Sequence, residues 1–76
     1  MVINAIKIHG VRSENQKRVI AVRYDNKDSW QDPYGGVFSK EEEKSLDEIA
    51  HGRMHYATLG GQYYYNLSVV VEYNHE

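Results

Sequence analysis

The sequence predicts an α+β fold, an antiparallel four-stranded sheet with one covering helix in the order ββαββ. Three observations carry this. Two early and two late stretches alternate apolar and polar residues with the two-residue period of a strand. One central segment opens on a helix-capping signature and closes on a glycine. The connections between them concentrate Gly, Pro, Asp and Asn, which punctuate regular structure.

The first strand is expected over residues 2–9, with Val2, Asn4, Ile6 and Ile8 on one side and Ile3, Ala5, Lys7 and His9 on the other. The polar stretch "GVRSENQK" forms a turn, and alternation resumes over residues 18–24. There Ile20, Val22 and Tyr24 oppose Val19, Ala21 and Arg23, so the two strands pair as an antiparallel hairpin. Residues 25–38, "DNKDSWQDPYGGVF", form a loop around the single proline. Ser39 with Glu42 three residues on makes a capping box, and Glu41 to Glu43 complement the positive end of the helix dipole. Gly52 supplies a left-handed stop. Only Leu46, Ile49 and Ala50 form an apolar stripe, so the helix should lie shallowly on the sheet, its carboxylates solvated. Residues 54–59 and 62–73 form a second hairpin closed by Gly60-Gly61, since glycine accepts the positive φ of a primed turn. In the last strand Tyr63, Tyr65, Leu67, Val69 and Val71 are expected inward, and Tyr64, Asn66, Ser68, Val70 and Glu72 outward.

At 76 residues the chain is one domain, near the size below which a core needs help from staples. There is no cysteine, which excludes disulfides, thiolate metal sites and cysteine nucleophiles. No apolar run approaches a membrane span and the N-terminus alternates rather than forming a signal-peptide block, so a soluble, cytoplasmic protein without membrane partners is expected. The formal net charge of −2 argues against strong nonspecific nucleic-acid binding. The charge is uneven, with basic residues concentrated before Asp32 and acidic ones in the helix.

Enzyme signatures are missing. The serines lack a nucleophile-elbow context, and neither glycine pair sits in a phosphate-loop or dinucleotide pattern. The helix glutamates read as a solvated face rather than as a tuned acid–base pair, because tuning needs burial. His51 and His55 have the four-residue spacing that chelates zinc on a helix, yet Gly52 interrupts the helix between them and no glutamate follows His51. They are weak metal candidates, and no cofactor is expected.

Binding features are more prominent. Trp30, Tyr34 and Phe38 recur in the loop, and Trp and Tyr are enriched at binding hot spots. Phe38 reads as core, whereas Trp30 and Tyr34 read equally well as core or as partner contacts. The sheet face away from the helix carries Ile3, Ala5, Val19, Ala21, Tyr64 and Val70, more apolar than a solvated face usually is. Partner-binding residues are therefore expected at Trp30, Tyr34, Tyr64, Ile3, Val19 and Ala21.

At "RVIAVRYD" and "SKEEEKSLDEIAHGRMHYATLGGQ" the layout resembles a bacterial family of small ββαββ-like domains of unknown function. Ser39, Glu42, Ile49, Gly52, Tyr56, Thr58 and Gly61 carry the likeness. Such domains often carry a further Arg-Thr and Asp-Asn-Leu segment, which these residues do not show. The resemblance implies the fold and no activity.

The resulting expectation is a small non-enzymatic protein-binding module, an inhibitor or modulator from a bacterium or mobile element. Its partner would be another protein or a second copy in a homodimer. The alternative is single-stranded nucleic-acid binding by the basic first hairpin, through Lys7, Lys17, Arg18, Arg23 and Lys27.

Overall fold

A computed structural model describes residues 2–12, 16–25 and 29–74, with the side chains of Val2, Ile3 and Asn74 outside that description. The elements are β1 (Val2–Val11), β2 (Lys17–Tyr24), α1 (Lys40–Ala50), β3 (Ala57–Leu59) and β4 (Gln62–Asn74). They form one antiparallel sheet in the spatial order β2-β1-β4-β3, with α1 on one face. The expected fold class and element order therefore hold. No helix among the described residues is long and apolar enough to cross a membrane.

The helix forms as its sequence dictates. Ser39 accepts the N–H of Glu42, and the Glu42 carboxylate accepts the N–H of Ser39, completing the capping box. Gly52 ends the helix at φ +75°. Gly60 and Gly61 both have positive φ, 57° and 80°, as the tight turn between β3 and β4 requires. β3 is shorter than expected, since residues 54–56 do not pair with β4.

The core consists of Ile8, Ile20, Ala21, Trp30, Leu46, Ile49, Ala57 and Leu59, with Ile6, Phe38, Met54, Tyr64 and Leu67 packed at its margin. Its make-up departs from strict alternation because the strands are bulged. Ile8 pairs with Ala21 but His9 pairs with Val19, leaving Ile20 as an extra residue on β2. The bulge brings both Ile20 and Ala21 to the helix side. A second bulge lies in β4, where His9 opposes Ser68 while Val11 opposes Tyr65. Asn66 accommodates it at φ +51°, a conformation that Asn tolerates better than most side chains. One extra residue reverses the phase of everything before it. Tyr64 and Leu67, three apart, thus share the helix side, and both lie where a Cβ on Gly10 would meet them.

Two orientations expected from the sequence are corrected here. Ala21 belongs to the helix side, not the outer face. The tyrosines are inverted, with Tyr64 inward and Tyr63 and Tyr65 outward. Ala5, Val19 and Val70 do lie on the outer face, whereas Ile3 falls outside the described side chains.

Candidate functional site

The loop between β2 and α1 is fastened rather than projecting. Gln31 bridges to Val22 through two backbone hydrogen bonds, 3.0 and 2.7 Å, extending the sheet beyond β2 by one rung. This rung turns Trp30 under the helix, where it is 4% exposed. Its indole Nε1–H donates to Asp47 at 2.7 Å, its backbone N–H donates to Glu43 at 3.0 Å, and the Arg23 guanidinium lies 5.2 Å from the ring centroid. Trp30 is thus a core residue, and its ring is not offered to a partner. The helix carboxylates are likewise fasteners. Glu43 and Asp47, four apart on one helix face, hold Trp30, while Glu42 reaches the N–H of Gly60 at 2.7 Å. Spacing along the chain carries no distance between loop and helix, so from sequence alone these carboxylates read as merely solvated.

Tyr34 differs from Trp30. It sits at the tip of an Asp32-initiated turn, in which Asp32 accepts the N–H of Tyr34 through its side chain and that of Gly35 through its carbonyl. Its ring is 66% exposed, with the Arg18 guanidinium 5.7 Å from the centroid. Arg18 Nε is buried and has no hydrogen-bond partner among the described residues. A cleft of about 200 Å³ opens between this turn, the start of α1 and the glycine turn, bounded by Tyr34, Phe38, Tyr64, Asp32 and Glu42. The N–H groups of Ser39 and Gly60 hold the Glu42 carboxyl below the usual carboxylate range, so this cleft stays anionic at neutral pH.

The outer face of the sheet carries the main exposed aromatic feature. Tyr56, Tyr63 and Tyr65 form a row, with ring centroids 6.2 and 6.1 Å apart and planes inclined by 28° at each step. Tyr63 is 52% and Tyr56 51% exposed. Beside the row lie Val11, opposite Tyr65 on one side and Lys17 on the other, then Val19 and the exposed Val70. Ala5, Val11 and Val22 are buried on this face outside the helix-side core, with Lys7 and His9 between Ala5 and Val11 along β1. Strict alternation missed Tyr63 and Tyr65 as surface residues because the bulge at Asn66 was not visible in the hydrophobic pattern.

The cations of the first hairpin do not form one surface. Lys7 faces outward and pairs with Glu72 at 3.0 Å, with Lys17 on the same face, while Arg18 and Arg23 turn to the helix side. Arg23 also approaches Asp47 at 3.7 Å. Lys27 lies outside the described residues. His51 caps the end of α1, its Nδ1 lying 2.7 Å from the Asp47 carbonyl, and the break at Gly52 removes His55 from that helical face. No group of three metal-ligating side chains occurs among the described residues.

Comparison with known proteins finds no matching family model, curated relative or solved structure.

Proposed function

We propose that this chain is a small, non-enzymatic protein-binding module, acting as an inhibitor or modulator of its partner through the outer face of the sheet. The row Tyr56–Tyr63–Tyr65, with Tyr56 and Tyr63 exposed and Tyr65 half-buried, carries this reading. Tyrosine presents a large, rigid contact area at small entropic cost, and stacked neighbours hold each ring in place before a partner arrives. Val19 and Val70 supply an apolar surround, and Tyr34 on the loop is a separate exposed ring. The nucleic-acid alternative draws less support, because Lys7 and Lys17 face away from Arg18 and Arg23.

A photo-crosslinking amino acid at position 63 tests the proposal, with the captured protein then purified and titrated. Tyr63→Ala should weaken that complex by at least about 2 kcal/mol, roughly 30-fold, while the free chain, losing only the ring contacts of about 0.5–1.5 kcal/mol each, stays folded. Equal affinity of the Tyr63→Ala chain would sink the reading. Salt-sensitive oligonucleotide binding lost on Lys17→Ala would transfer support to the alternative.

A further inference from the structure

β4 is paired on both sides only at its beginning. β3 takes Gln62 to Tyr64, and beyond Tyr64 no strand among the described residues lies on that side. Residues 68–73 are paired to β1 alone, so every second residue turns its N–H and C=O toward an open edge. Edges of this kind are ordinarily blunted by lysine, proline or brevity. This one reads "SVVVEY", and Val69, Val70, Val71 and Tyr73 are 39, 42, 36 and 44% exposed. Val69, Val71 and Tyr73 lie on the helix side, past the reach of α1, while Val70 lies on the outer face. The helix side of the edge is therefore apolar, while on the outer face Val70 stands between Ser68 and Glu72.

We infer that a second copy of this chain pairs with this edge, β4 against β4 and antiparallel, making a continuous eight-stranded sheet. The side chains are self-complementary about Val70. A two-fold axis there places Val70 against Val70, Val69 against Val71, Ser68 against Glu72 and Leu67 against Tyr73. Glu72 meets a serine rather than its own copy, and Lys7 already neutralises it at 3.0 Å. A register centred on Glu72 would oppose two carboxylates and is disfavoured. The contact is smaller than the roughly 800 Å² per partner of a standard interface, so the dimer dissociates on dilution. It uses the edge, shares only Val70 with the outer-face surface proposed above, and leaves the tyrosine row open.

The absence of cysteine makes the test clean. In sedimentation, the native chain should rise from 8.8 kDa toward twice that mass with concentration. Val70→Cys should crosslink to a dimer under mild oxidation, since opposed residues place their Cβ atoms about 4.5–5.5 Å apart. Val37→Cys, on a residue 94% exposed in the loop, should not. Val70→Lys, which sets two ammonium groups face to face at a solvent-exposed position, should hold the chain monomeric with an unchanged circular dichroism spectrum. A native chain that stays monomeric to millimolar concentration overturns the inference. So does a dimer insensitive to Val70→Lys, or a Val70→Cys chain that crosslinks no faster than the Val37→Cys control.

Discussion

Replacing Trp30 by Ala separates a core residue from a contact residue. The ring is 4% exposed, and a tryptophan buries about 150–250 Å², which at about 25 cal/mol per Å² corresponds to roughly 4–6 kcal/mol. Buried Trp→Ala substitutions cost about 3–5 kcal/mol. A chain of 76 residues, at about 0.05–0.15 kcal/mol per residue, has only some 4–11 kcal/mol in total. The variant should therefore lose from about a quarter to all of the chain's stability at 25 °C. Urea unfolding followed by far-ultraviolet circular dichroism measures this, since the substitution removes the sole tryptophan. Trp30→Phe with Asp47→Ala, run as a double-mutant cycle, should return a coupling of about 1 kcal/mol for the indole hydrogen bond, kept modest because the Asp47 side chain is 50% exposed. A loss below about 1 kcal/mol for Trp30→Ala, combined with abolished partner binding, would refute the core assignment.

Three further outcomes are expected. Gly10→Ala places a Cβ 2.8 Å from Leu67 Cδ2 and 3.3 Å from Tyr64 Cβ, so chemical denaturation should show a loss of about 1–3 kcal/mol, less than additive with Leu67→Ala, which removes the nearest atom. Gly61→Ala, at φ +80°, should lower stability by about 1–2 kcal/mol in the same assay, with the sheet otherwise intact. The Glu42 carboxyl titrates below its usual 4.5 in the folded chain, so its stabilising share is present above that pH and is lost as pH falls through the folded value. Glu42→Gln keeps the acceptor and removes the titration, so thermal midpoints of variant and native chain should converge on acidification and separate near neutrality.

The elements were legible because each announces itself locally. Ser39 and Glu42 mark the start of the helix, Gly52 its end, and Gly60-Gly61 the second hairpin, through chemistry that acts within a few residues. Which side a strand residue faces is a different matter, since alternation holds only while each residue has one partner. Ile20 and Asn66 each break that count, so Ala21 and Tyr64 moved to the core and Tyr63 and Tyr65 moved out. Local signals leave Trp30 undecided because its place depends on Gln31 meeting Val22 and on Asp47 facing the indole, both contacts across many residues. The open edge of β4 could not be seen at all without the spatial order of the strands.

The left-handed residue at Asn66 means that β4 is two half-strands set out of phase, each answering to a different side of the sheet. Deleting it would keep every neighbour's identity and rotate residues 62–65 by half a turn about the strand, sending Tyr63 and Tyr65 beneath the helix and Tyr64 into water. A single codon thus stands between a chain that displays its tyrosines and one that swallows them.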